Sequence, residues 1–208
     1  MKSNLKHQSN DPNCKGVEIL SIGTELLLGN IVNTNAQWIS EELSTLGLNH
    51  FRQSTIGDNS ERITKLIKEI SSRSNLLITT GGLGPTPDDL TTEAIAKSFN
   101  ATLSEREYLW DQIKKKLSIS GSTFNRSSLK KQCFFPKDAQ IINNPRGTAP
   151  GMIWKPIEGF TILTFPGVPS EMKEMWKETA ANYIKNNFSD GYIFFSNTLK
   201  FSGIGEST

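Results

Sequence analysis

The chain has 208 residues, 36% of them hydrophobic and 21% charged, and a formal net charge of +2. That length suits one domain of ordinary to large size with a small appendage. The near-neutral balance sets aside nucleic acid and anionic membranes as partners, and no apolar run approaches the length of a membrane span.

Residues 1–15 are polar and lack the apolar centre of a secretory signal, so they are expected to form a disordered tail. Cys14 and Cys133 are the two cysteines, with neither metal-clip spacing nor a disulfide framework, and a reducing cytoplasm is the expected compartment. Val17 to Gly23 reads as a mostly buried first strand ending in glycine. Asn33 to Leu46 reads as a helix, with Ala36, Ile39, Leu43 and Leu46 at helical spacing. Leu48 to Ile56 fits a second strand. Asp58 or Asn59 then caps a helix whose inner stripe is Ile63, Leu66, Ile67 and Ile70. Asn75 to Thr80 is the third strand and Thr91 to Phe99 the third helix.

Glu105 to Leu117 and the shorter Phe124 to Gln132 read as further helices, with Lys114–Lys116 on a solvated face. Gly151 to Trp154 and Phe160 to Phe165 suggest a hairpin, followed by a helix from Pro169 to Asn186. Tyr192 to Phe201 reads as one more strand. The closing Gly203–Thr208 promises an element that does not follow, so a fragment or truncated product is expected. Strands alternating with helices predict an α/β fold, with a parallel sheet covered on both faces.

Four loops stand at strand ends: Ser21–Gly29, Gly57–Asn59, Thr79–Glu93 and Phe165–Glu171. In a parallel sheet such ends share one edge, where ligands bind. Asp58, Asp88 and Asp89 form the candidate metal set, since carboxylate oxygens suit Mg²⁺ or a similar divalent ion that bridges phosphates. The plainer alternative is that these aspartates serve only helix starts. Gly81, Gly82 and Gly84 follow a buried strand and precede the acids, as main-chain donors to phosphate, with Thr92 in the first turn of the next helix. The segment is neither a P-loop nor a dinucleotide fingerprint, and no lysine lies nearby in sequence. Gly23, Thr24 and Glu25 follow the first strand, Thr24 as a phosphate or purine donor and Glu25 as a cation or ribose ligand; a capped turn is the alternative. Asn35, Arg146, Gly167 and Ser170 complete the candidate binding set, Arg146 as an anion clamp or a solvent-exposed turn residue. Histidine triads and zinc sites are improbable, because only His7 and His50 occur.

At these residues the chain resembles the N-terminal domain of the competence/damage-inducible CinA proteins, of the molybdopterin-binding (MoaB/MogA-like) fold. Gly23–Gly29 with Asn33–Asn35, Gly57–Asn59, Thr79–Thr91, Asn144–Gly151 and Phe165–Met172 carry the resemblance, in order from about Val17 to Trp176. It implies a three-layer α/β/α domain over residues 16–188 and a dimer or trimer. The start of a linker domain is expected over residues 189–208. It also implies metal-dependent hydrolysis of ADP-ribose to AMP and ribose 5-phosphate. Asp58, Asp89 and Glu25 are the catalytic candidates, with Glu25 or one of the aspartates as general base. Relatives of the fold bind the pterin and adenylylate it. Asp58 and Asp89 match their two aspartates, while Asp88 stands where those relatives carry a basic residue. That change favours a metal–diphosphate role, because an added carboxylate repels an anionic pterin phosphate. The nicotinamide-nucleotide amidase domain of full-length relatives is not expected within these residues. A non-catalytic pterin or nucleotide module, and an inert truncated paralogue, are the competing readings.

Overall fold

The structure, a computed structural model, describes residues 16–48, 50–120 and 126–189. The expected tail, the Tyr192–Phe201 strand and the start of the linker domain lie outside the described residues. The first half alternates as expected: β1 (Gly16–Ile22), α1 (Thr24–Leu27), α2 (Thr34–Thr45), β2 (His50–Ile56), α3 (Ser60–Arg73), β3 (Ser74–Thr80) and α4 (Thr91–Ser98). Then come β4 (Leu103–Glu105), α5 (Glu107–Ser120), α6 (Arg126–Lys130), β5 (Phe134–Pro136), β6 (Gln140–Ile142), β7 (Gly151–Ile157), β8 (Phe160–Phe165), α7 (Pro169–Met175) and α8 (Ala181–Phe188).

Six strands form one sheet in the order β2-β1-β3-β8-β7-β6, and β4 pairs with β5 in a small second sheet. The β2, β1, β3 and β8 strands run parallel to one another, whereas the β7–β8 hairpin and β6 add antiparallel neighbours. The fold is therefore α/β with a mixed, mostly parallel sheet. Alternating side chains of the inner strands serve two cores, as period-two geometry requires. Leu20, Ile22 and Leu77 pack on Ile63, Ile67 and Ile70 of α3 and Ala94 and Ile95 of α4. Val17, Ile19, Leu76 and Ile78 face the other way, onto Ile39 and Leu43 of α2 and onto Met172, Met175, Trp176 and Ile184. Helices thus cover both faces of the sheet.

Asn59, not Asp58, caps α3, its side chain accepting from the Arg62 amide at 3.0 Å. Between α7 and α8 the helix carries one π-turn, Trp176–Ala180, around the fully buried Trp176. Lys114 lies on the solvated face and pairs with Asp111. Lys116 departs from that expectation. Its ammonium is part-buried and donates to the Gly147 carbonyl at 2.8 Å and to that of Asn144. Burial pushes its pKa down, against the raising effect of Glu171. No helix among the described residues is long and apolar enough to cross a membrane.

Candidate active-site crevice

The carboxyl ends of β1, β3 and β8 open onto a crevice of about 570 Å³. All four expected loops contribute to its wall: Gly23 and Glu25, Asp58, the Gly81–Asp89 segment with Asp88, and Pro166 to Glu171. Thr148 and Ala149 close it on one side and Gln132 on another. The turn after β3 is set by local sterics. Gly81 and Gly82 have φ of 100° and 65°, where a side chain is strained. A Cβ on Gly81 would also strike the Ile22 carbonyl, which is how β3 passes so close to the end of β1.

Two aspartates are held alike. Asp58 Oδ2 accepts from the Thr24 amide at 2.8 Å and its hydroxyl at 2.9 Å. Asp89 Oδ2 accepts from the Thr86 amide at 2.8 Å and its hydroxyl at 2.7 Å. Neither residue caps a helix, since α4 begins after Leu90 without a side-chain cap. Each clamp uses Oδ2 and leaves Oδ1 outside those bonds. Behind them, Asn35 is buried and donates to Thr80 Oγ1 at 2.9 Å and the Gly167 carbonyl at 2.8 Å. Thr80 Oγ1 donates onward to the Pro166 carbonyl at 3.0 Å. Asn35 therefore joins α2, β3 and the turn after β8.

Several of the expected binding groups are bonded within the protein or lie off the crevice lining. The Gly81 amide donates to the Phe165 carbonyl at 3.0 Å and the Gly23 amide to that of Ile56 at 3.0 Å, so neither is available to a phosphate. Thr24 spends both donors on Asp58. Arg146 pairs with Glu174 and is not among the crevice-lining residues. Ser170 is exposed on α7 and also lies off the lining. Thr92 lines an adjoining pocket instead. Gly82, Gly84 and Gly167 do line the crevice.

Three residues escaped the sequence reading. Lys131 reaches across from the turn after α6 and donates to the Asp89 carbonyl at 2.8 Å and to that of Thr86. Its sequence distance from the glycine loop concealed it. Gln132 is buried and donates to the Leu83 carbonyl at 3.0 Å. Glu171 was noted only as part of its turn. Its carboxylate accepts from Asn144 Nδ2 at 2.7 Å, and Asn144 Oδ1 in turn accepts from the amides of Arg146 and Gly147.

Five carboxylates, those of Glu25, Asp58, Asp88, Asp89 and Glu171, line the crevice, and no lysine or arginine does among the described residues. Yet no three acidic, histidine or cysteine side chains among the described residues stand close enough to hold a metal ion together. The three aspartates thus make no protein-only metal cage. The donor chemistry fits an ion that shares its ligands with a phosphate and water. Cys133 is fully buried, and burial raises its pKa to about 11, which disfavours a thiolate at that position.

A family model described as a probable molybdopterin binding domain matches residues 18–186. A CinA-like protein of Prochlorococcus marinus subsp. pastoris is 97% identical over the whole chain, which covers 48% of that relative. A CinA-like protein of Synechococcus sp. is 56% identical over 93% of the chain and 45% of its own length. The chain spans about half the length of these relatives. The crystal structure of the protein CinA from Thermoplasma acidophilum, whose function is described as unknown, superposes with a TM-score of 0.74 at 33% identity, covering 81% of this chain and 97% of that one. The Mog protein of molybdopterin biosynthesis from Mycobacterium ulcerans shares the fold at a TM-score of 0.51 and 16% identity, over 83% of this chain and 98% of that one. The chain belongs to the molybdopterin-binding domain family, among its CinA-like members.

Proposed function

We propose that this crevice hydrolyses the diphosphate of an ADP-ribose-like substrate, giving AMP and ribose 5-phosphate, with the help of a divalent ion such as Mg²⁺. The observation that carries the reading is the five-carboxylate wall without a lining cation. A diphosphate enters such a wall only with its charge neutralised, and a hard cation bridging phosphate oxygens and one or two carboxylates does that. One or two of Asp58, Asp88 and Asp89 would hold the ion, which when bound would neutralise the diphosphate and ease deprotonation of water. The clamps from Thr24 and Thr86 fix two of those carboxylates before substrate arrives. Gly82 and Gly84 let the main chain approach the phosphates. Glu25, Asp58 or Asp89 accepts the proton of the water as it attacks phosphorus and the anhydride P–O bond breaks.

The test is AMP release from ADP-ribose by purified protein, with a panel of divalent ions. Asp89→Asn is expected to lower turnover at least a hundredfold with an unchanged unfolding temperature. Undiminished hydrolysis after exhaustive chelation would sink the role of the ion.

The family description favours one second reading, a module that binds a pterin without hydrolysis; adenylylation of that pterin belongs to the same reading. Asp88 on the wall disfavours it, since a pterin phosphate meets the same repulsion. Calorimetric titration with ADP-ribose and with molybdopterin, each with and without Mg²⁺, separates the two. A dimer or trimer belongs to the same proposal and is read by sedimentation. The amidase activity of longer relatives is not assigned to these residues.

A further inference from the structure

Glu171, in the first turn of α7, lines the crevice beside Thr148 and Ala149. It is held there by the turn between β6 and β7. Asn144 in that turn is 4% exposed, and both its amide hydrogens and its carbonyl oxygen are used. Its Nδ2 donates to Glu171 Oε2 at 2.7 Å and to the Ala149 carbonyl at 2.9 Å. Its Oδ1 accepts from the amides of Arg146 at 3.1 Å and Gly147 at 2.8 Å. Lys116 of α5 secures the same turn through the Asn144 and Gly147 carbonyls. A Cβ on Gly147 would strike the Glu171 carboxylate, so turn and carboxylate lie in direct contact. A half-buried glutamate without such partners samples several rotamers; these contacts select one. The bond from Asn144 uses Oε2 and leaves Oε1 outside it. Glu171 also stands apart from Asp58. In the order β2-β1-β3-β8, Asp58 follows β2 and reaches the end of β1, whereas Glu171 follows β8. At about 4.8 Å per strand, the ends of β1 and β8 are on the order of 10 Å apart.

We propose that Glu171 is a specificity-determining residue that restricts the crevice to diphosphates esterified at both ends, and that Asn144 is its positioning residue. The inference rests on the crevice being the phosphate site. A nucleoside diphosphate with a free terminal phosphate carries an added negative charge. At the β8 end of the crevice that charge meets a carboxylate that Asn144 and Gly147 keep from turning away. A sugar on the second phosphate brings no charge to that end, and its hydroxyl donates to Oε1. One fixed group thus rejects the first ligand and accepts the second. A mobile glutamate would swing aside and discriminate weakly, which is what the buried Asn144 prevents.

The experiment titrates wild type, Glu171→Gln and Glu171→Asp by calorimetry, in Mg²⁺, with the α,β-methylene analogues of ADP-ribose and of ADP, which resist cleavage. Both variants leave the buried Asn144 side chain in place. Glutamine keeps an acceptor for Asn144 and removes the charge. Aspartate keeps the charge and withdraws it from Asn144. Wild type is expected to bind the ADP-ribose analogue at least tenfold more tightly than the ADP analogue. That preference is expected to shrink at least fivefold in Glu171→Gln, mainly because the ADP analogue binds more tightly, and at least threefold in Glu171→Asp. A wild-type preference under twofold, or one unchanged in Glu171→Gln, would overturn the specificity role. A full preference in Glu171→Asp would overturn the positioning role of Asn144. Either result with AMP release from ADP-ribose intact leaves the hydrolase reading standing. The expected preferences without AMP release would overturn that reading alone, and binding of neither analogue would overturn both.

Discussion

Asp58 Oδ2 accepts both donors of Thr24, the amide at 2.8 Å and the hydroxyl at 2.9 Å, and the Asp58 amide approaches the same hydroxyl at 3.2 Å. The end of β1 is thereby fastened to the loop after β2. The contact is largely exposed, so it contributes little to stability and mainly fixes a carboxylate. Thr24→Val keeps the amide bond and removes the hydroxyl. It is expected to cost under about 1 kcal/mol of folding free energy. ADP-ribose turnover is expected to fall about tenfold and to recover in Thr24→Ser. Steady-state kinetics beside thermal unfolding check both. A turnover loss that tracks unfolding would remove the positioning role.

Asn35 is the opposite case, a buried amide whose loss is structural. It ties Thr80 to the Gly167 carbonyl beneath the crevice floor. Asn35→Ala removes the buried bond to Thr80 Oγ1 and the part-buried one to the Gly167 carbonyl, at an expected cost of about 1–2 kcal/mol. Asn35→Asp is expected to cost more, because a carboxylate would face that carbonyl and cannot donate to it. Urea unfolding of the three proteins gives the order, and equal midpoints would show that the network is dispensable.

The parallel half of the sheet was legible because its cues are local. Apolar runs such as Leu76–Ile78 end in glycine, and helical stripes such as Ile63, Ile67 and Ile70 follow caps. Convergence of the four loops then followed from topology alone. The sequence reading missed what depends on distant partners. The three-residue strands β4 and β5 carry little pattern of their own and exist by pairing Leu103–Glu105 with Phe134–Pro136. Arg146 looked like an anion clamp, but Glu174 lies one helical turn beyond Ser170 and takes it. Gly81 looked like a phosphate donor, but pairing with β8 claims its amide. Backbone donors near a loop cannot be assigned until the neighbouring strand is known.

Lys131 offers a prediction on dynamics. Its ammonium holds the carbonyls at both ends of the Thr86–Asp89 turn, which is otherwise closed by the Asp89 amide on the Thr86 carbonyl at 3.1 Å and by the Asp89 carboxylate on the Thr86 amide and hydroxyl. Lys131→Met is expected to speed amide exchange in residues 84–90 at least fivefold and to leave α3 unchanged, since that helix is anchored independently in the core. Hydrogen exchange with mass spectrometry reads this directly. Uniform acceleration across the domain would mean global destabilisation instead of a loosened turn.

Glu18 supplies the acid limit of the fold. It is 3% exposed on β1, where Arg73 donates from Nε at 2.7 Å and Nη2 at 2.8 Å and Ser74 Oγ donates at 2.6 Å. Burial pushes its pKa up, but the bonds from Arg73 and Ser74 and the charges of Arg73 and Arg52 outweigh burial and hold it below the ordinary 4.5. A carboxyl with a depressed folded pKa binds fewer protons folded than unfolded. Its stabilisation is complete above the unfolded pKa and is lost as pH falls through the folded one. Wild-type unfolding free energy is therefore expected to decline below about pH 4.5. Glu18→Gln removes one partner of a buried pair, but the Arg73 side chain is 32% exposed and recovers water. The expected cost at pH 7 is thus about 2 kcal/mol, under the roughly 3–5 kcal/mol of a fully buried pair. The two stability curves should converge as pH falls from 5 toward 2, when protonation has removed the ion pair from wild type as well. Denaturant titrations across that range test it, and parallel curves would show that other carboxyls carry the acid sensitivity.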